Sequence, residues 1–232
     1  MSTAPLLVFG AGHIGRAMAQ SALAAPGAPP VHVVTRQPDA PDGATHHRID
    51  AADEPALAAL AKTLPEISGL LITTGTLHTE AYAPEKTLKA LDPQAMAEVY
   101  RVNCILPATI LKHFLPRLPR NTPAFAAALS ARVGSISDNA LGGWVSYRAS
   151  KAALNQVIRT FSIELARTHP QARLIGLHPG TVATPLSQPY RGTAPTVFTP
   201  AESAAHLWRV IEGTTPEHSG NLFAWDGQHI AP

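Results

Sequence analysis

"PLLVFGAGHIGRAMAQSALAA", residues 5–25, decides the fold of this 232-residue chain. Its apolar start, 5–10, has the length and composition of a buried strand, and 13–25 reads as a helix. Between them stand Gly10, Gly12 and Gly15, in the spacing Gly-x-Gly-x-x-Gly. Glycines there let the backbone turn sharply and approach a pyrophosphate, whose negative charge then meets the N-terminus of the helix. Glycines after a strand can be a mere turn. With a helix directly following, the loop reads as a dinucleotide site, and His13 and Ile14 at the helix start belong to it.

The rest of the chain repeats the alternation. Runs at 31–36, 45–50, 68–75, 123–131, 172–180 and 220–225 read as strands. Helical patterns occupy 54–64, 92–118, the stretch from Tyr147 onward, and 201–212. The longest of the first two should bend near Pro107. The alanines of 123–131 suit a helix as well as a strand, and its place in the alternation favours the strand. This order implies a Rossmann-type α/β fold, a mainly parallel sheet of about seven strands with helices on both faces. The expectation is a single domain over 1–232. In such sheets ligands bind beyond the carboxyl ends of the strands, near the point where strand order reverses.

Composition narrows the class. Eighteen Lys and Arg nearly balance sixteen Asp and Glu without forming a basic cluster, which speaks against nucleic acid or an anionic membrane as partner. The single cysteine, Cys104, allows no internal disulfide. No apolar stretch approaches the roughly 20 residues of a membrane span. The N-terminus lacks the charged and apolar regions of a signal peptide, so the cytoplasm is the expected location.

Candidate site residues fall just after the strands. A carboxylate at the end of the second strand would favour NAD by bonding both ribose hydroxyls; Thr35 and Arg36 stand there instead. A guanidinium suits a 2′-phosphate, so NADP is the favoured cofactor, with NAD possible. Asp50, closing the third strand, is placed for the adenine amino group, while Asp53 is the better cap for the helix that follows. Thr74 and Gly75 follow the fourth strand. Tyr147 and Lys151 lie four apart on one helical face. A phenol is a poor acid or base near neutrality, and a nearby ammonium, together with an oxidised nicotinamide, should bring its pKa closer to working pH. On an ordinary helix the pair is only a surface neighbour.

Tyr147-x-x-x-Lys151 in "SYRASKAALN", the glycine loop, Asn103 in "VNCILP" and Pro179-Gly180 in "HPGTVAT" together resemble the short-chain dehydrogenase/reductase family over nearly the whole chain. "RVGSISDNALGGWVSYRASKAALN" and "LHPGTVATPLSQPY" are similar to its C-factor-like and sniffer-like carbonyl reductases. The resemblance implies that Tyr147 gives a proton to a carbonyl oxygen as hydride arrives from NADPH. It implies that Lys151 binds the nicotinamide ribose and lowers the tyrosine pKa, and that Asn103 holds a relay water where it interrupts its helix. Pro179, Gly180, Val182 and Thr184 would line the nicotinamide. A small carbonyl or alcohol substrate and a homodimer or homotetramer are implied as well.

Three departures stand out. Only Ala11 separates Gly10 from Gly12, where the family usually has three residues. The family's "NNAG" is "ITTG" at 72–75. Ala131 stands where the family has its substrate-binding serine, with Ser130 before it and Ser135 four residues on. Ser135 is the preferred replacement, because a loop serine can turn inward whereas a neighbour on the strand points to the other face. Trp144, Leu141, Tyr190 and the loop from Pro185 to Phe198 offer a lid for an apolar or aromatic aldehyde or ketone. The departures also motivate a rival reading, a dinucleotide-binding sensor or signalling protein with little turnover.

Overall fold

The computed structural model describes residues 4–192 and 196–232; residues 193–195, within the expected lid loop, lie outside it. The strands are β1 (Leu6–Phe9), β2 (Val31–Thr35), β3 (Thr45–Arg48), β4 (Gly69–Ile72), β5 (Ala124–Leu129), β6 (Ala172–His178), β7 (Leu222–Ala224) and β8 (His229–Ile230). They form one sheet in the order β3-β2-β1-β4-β5-β6-β7-β8. All neighbours are parallel except β7 and β8. The eighth strand was not expected from sequence, since two residues carry no alternation to read.

The helices are α1 (His13–Ala24), α2 (Glu54–Thr63), α3 (Pro93–Tyr100), α4 (Leu106–Phe114), α5 (Val145–Thr168) and α6 (Pro200–Gly213). Strand alternation assigns each sheet face its own core. Leu7, Phe9, Leu70, Ile72, Ala126 and Leu174 pack towards Leu57 of α2, Ile110 of α4 and Leu154 of α5. Leu6, Val8, Leu71, Ile175 and Leu177 pack against Met18 of α1 and Leu207 of α6. Local chemistry marks the helix starts. Asp53 Oδ1 accepts the Ala56 N–H at 3.0 Å, and Thr199 with Glu202 forms a reciprocal capping box. Among the described residues no helix is long and apolar enough to cross a membrane.

The pattern at 92–118 is not one bent helix. Arg101–Ile105 form a single wide turn between α3 and α4, in which the Leu106 N–H reaches the Arg101 carbonyl five residues back. The disturbance therefore precedes Pro107, whose place in the first turn of α4 is one that proline tolerates without a kink.

Candidate active site

Because the strands run parallel, the loops after β1, β2, β4, β5 and β6 open along one edge of the sheet. Order reverses between β1 and β4, and the glycine loop leaves β1 at that point. Gly10 has φ +98°, a conformation that suits only glycine, and a side chain there would meet Thr73 Oγ1 at 2.8 Å. A side chain on Gly15 would collide with the Gly10 carbonyl and Thr73 Oγ1. The loop is therefore closed tightly upon the end of β4. Thr73 locks it by donating to the Phe9 carbonyl at 2.8 Å, with the Gly10 carbonyl 3.1 Å away. The first threonine of "ITTG" thus ties β4 to the glycine loop.

Two cavities flank this junction, sharing Gly12 and residues 73–76. One, of about 340 Å³, includes Gly10, Thr35, Arg36 and Asp50. The other, of about 290 Å³, includes His13, Ile14, Gly15, Tyr147, Lys151, Pro179 and Thr184. Thr74 and Gly75 line both, and the buried Thr74 hydroxyl has no hydrogen-bond partner among the described residues. A groove of two lobes, pinched at a glycine loop and with an unspent hydroxyl at its waist, fits a dinucleotide. Arg36 is largely exposed, and its guanidinium is 4.0 Å from the Asp50 carboxylate.

A third cavity, of about 220 Å³, adjoins the second through Ile14, Ser130, Tyr147, Pro179 and Thr184. Its wall includes Trp144, Tyr190, Gly180 and Val182. Trp144 and Tyr190 stand edge to face with centroids 5.4 Å apart, and His78 extends the aromatic wall 5.3 Å beyond Tyr190. Tyr147 occupies the boundary between this apolar space and the dinucleotide groove.

Lys151, only 3% exposed, donates from Nζ to the Leu129 carbonyl at 2.8 Å and sits 5.9 Å from the centre of the Tyr147 ring. Burial lowers the ammonium pKa to about 8 and pushes the Tyr147 phenol up to about 12. The expected lowering of the tyrosine pKa is thus not produced by Lys151 in this arrangement, because desolvation outweighs an ammonium directed at a backbone carbonyl. The phenol is held as a protonated donor.

Asn103 lies in the wide turn and is fully buried. Its amide accepts from the Thr76 N–H at 2.8 Å, donates to the Thr76 carbonyl at 2.8 Å and reaches Ser150 Oγ at 3.1 Å. Gly75 packs beside it: a Cβ there would be 3.4 Å from Asn103 Oδ1 and 3.6 Å from Lys151 Nζ. The side chain clamps the loop after β4 to the helix that carries Tyr147.

Two expected site residues lie elsewhere. Ser135 is buried outside the Tyr147 cavities, and its hydroxyl accepts the Asp138 N–H at 3.1 Å, closing a local turn. Leu141 is 93% exposed, because Gly142, Gly143 and Trp144 all take positive φ and lead the chain outward before α5 begins. Ser130 does line both cavities, but its Oγ donates to Asn155 Oδ1 at 2.6 Å on α5. Ala131 lines the third cavity and brings no hydroxyl to it.

Glu85 was missed from sequence. Its buried carboxylate bonds the Ser146 hydroxyl and accepts the Ser146 N–H at 3.3 Å, while its carbonyl accepts the Trp144 N–H at 2.6 Å. A distant acid thus caps the helix bearing Tyr147, satisfying donors that the glycine-rich entry leaves open. In "APEKT" nothing separates it from an exposed loop glutamate.

A parallel sheet whose reversal point carries a glycine loop, with a Tyr/Lys pair brought over it, defines a dinucleotide-binding oxidoreductase. Residues 12–225 match the family model described as enoyl-(acyl carrier protein) reductase, and the chain belongs to the short-chain dehydrogenase/reductase family. It is 34% identical over 141 residues to the C-signal of Myxococcus xanthus, covering 60% of this chain and 80% of that one. It is 32% identical over 182 residues to 1-hydroxy-2-glutathionyl-2-methyl-3-butene dehydrogenase of Rhodococcus sp. (strain AD45), covering 78% and 77%. The NADPH-bound carbonyl reductase from chicken fatty liver superposes with a TM-score of 0.85 over 100% of both chains at 25% identity.

Proposed function

We propose that the protein is an NADP-dependent carbonyl reductase acting on a small apolar or aromatic aldehyde or ketone, with the whole chain forming one catalytic unit. The observation that carries this reading is Tyr147, a protonated phenol at the boundary between a two-lobed groove and an apolar cavity. The likeness to an NADPH-bound carbonyl reductase supports the cofactor, as does Arg36 beside the ribose lobe. Gly10, Gly12 and Gly15 would cradle the pyrophosphate, and Lys151 would hold the nicotinamide ribose. The reduced nicotinamide, when bound, supplies hydride to the carbonyl carbon. Tyr147 gives its proton to the carbonyl oxygen, and solvent returns a proton to the phenolate left behind. Trp144 and Tyr190 exclude water and select an apolar substituent. A homodimer or homotetramer accompanies this reading by family likeness.

A signalling role with little turnover is the second reading, favoured by Ala131 and by the likeness to C-signal. NADPH consumption against a panel of aldehydes and ketones separates the two. The enzyme reading expects turnover that Tyr147→Phe lowers by at least about 10²-fold. Tight NADPH binding without Tyr147-dependent turnover would establish the second reading instead.

A further inference from the structure

The substrate cavity lacks the hydroxyl that Ala131 cannot supply, and three other polar side chains of its wall are engaged. Ser130 bonds Asn155, Ser187 donates to the Val182 carbonyl, and Arg132 reaches Asp138 at 3.3 Å. One wall residue is different. His178, the last residue of β6, lies beside Ser130, whose N–H donates to the Leu177 carbonyl, and both face α5. Neither ring nitrogen makes a hydrogen bond among the described residues, and Nδ1 is sealed from solvent. Among the described residues it is the one side-chain nitrogen or oxygen sealed from solvent in this cavity's wall that lacks a partner.

An orphaned buried polar atom costs roughly 1–3 kcal/mol and calls for a reason. Burial pushes the imidazole pKa down to about 4, with the charge of Arg132 acting in the same sense and Asp226 opposing, so the ring is neutral near pH 7. A neutral ring carries one N–H. Placing it on sealed Nδ1 would strand a donor, whereas Nε2 is not sealed. The ring therefore offers Nε2–H as a donor with no acceptor among the described residues.

We propose that His178 is the second hydrogen-bond donor to the substrate's carbonyl oxygen, acting beside Tyr147 in place of the serine hydroxyl absent at Ala131. The inference rests on the carbonyl-reductase reading and deepens it. Tyr147 transfers a proton; His178 transfers nothing and holds the oxygen where negative charge develops. This gives the imidazole a role that costs the folded state an unsatisfied nitrogen.

The test uses His178→Leu, alone and combined with Ala131→Ser. His178→Leu removes the orphaned nitrogen, so the variant should melt no lower than wild type and keep its NADPH affinity within about twofold. Its kcat should nevertheless fall about 10²-fold, as when an oxyanion donor is removed. The NADP-saturated variant should also bind benzamide, a carbonyl that it cannot reduce, about tenfold more weakly by calorimetry. Adding Ala131→Ser should restore at least about tenfold in kcat, which no loss of mere packing would allow. Should His178→Leu fail to fold, His178→Phe keeps the ring volume without the donor and carries the same expectations. Tyr147-dependent turnover that survives His178→Leu within about threefold, or that Ala131→Ser cannot restore, overturns the role of His178 and leaves the reductase reading standing. Absence of Tyr147-dependent turnover in the wild type overturns both.

Discussion

Lys151→Met should stabilise the cofactor-free protein near neutral pH while removing the residue proposed to hold the ribose. The side chain is 3% exposed, and its pKa is lowered from 10.5 to about 8 by loss of hydration. At about 1.4 kcal/mol per unit, the folded state carries a penalty of about 3 kcal/mol wherever the lysine is charged in both states. Between pH 8 and 10.5 the folded chain binds fewer protons than the unfolded chain, so stability rises with pH across that window. Below pH 8 the penalty is complete. Tyr147, raised from 10 to about 12, acts with the opposite sign and only above pH 10. Methionine abolishes the penalty but leaves the Leu129 carbonyl without its 2.8 Å donor, which returns about 1 kcal/mol. The net expectation is a gain of about 2 kcal/mol at pH 7, or about 4–8 °C in Tm for a chain of this size, fading towards pH 10. Urea denaturation followed by tryptophan fluorescence at pH 6 to 10 measures it. A variant less stable than wild type at pH 7, or a difference that ignores pH, would refute the argument that desolvation dominates at this lysine.

Asn103→Ala removes three hydrogen bonds, two to the Thr76 backbone in the β4 loop and one to Ser150 of α5, and should cost about 3 kcal/mol, read by calorimetry as a fall of about 6–12 °C in Tm. Arg36→Ala should weaken NADP binding about tenfold or more and leave NAD binding within about twofold, read by fluorescence titration. Equal loss for both would remove Arg36 from 2′-phosphate recognition.

The glycine loop and the Tyr/Lys pair were legible because each is a local pattern fixed by its neighbours in sequence. Gly10 and Gly12 sit between a four-residue strand and a twelve-residue helix with Gly15 in that helix's first turn, and Tyr147 and Lys151 share a helical face. What escaped depends on contacts that spacing does not encode. Ser135 was chosen for its freedom to turn inward, but its hydroxyl closes the turn at Asp138 instead. Leu141 was lost to the left-handed run of Gly142, Gly143 and Trp144, since a tryptophan at φ 52° is not something composition announces. Glu85 caps α5 from 61 positions away. His178 carries no signal in sequence beyond standing before Pro179 and Gly180, because what sets it apart is a ring nitrogen sealed from solvent without a partner among the described residues.

The wide turn at Arg101–Ile105 bears on the chain's tolerance of insertions and deletions. It adds a residue to the path from α3 to α4 without completing a further ordinary turn. Removing that added residue would let the 3.6-residue repeat run straight through, with α3 and α4 still in phase and Val99, Ile110, Leu111 and Phe114 still directed into the core. The same deletion within either helix would instead rotate one side by about 100°. What the shortened turn would lose is the placing of the Asn103 carboxamide against Thr76. The core would accept a shorter path between the helices; the clamp on the β4 loop would not.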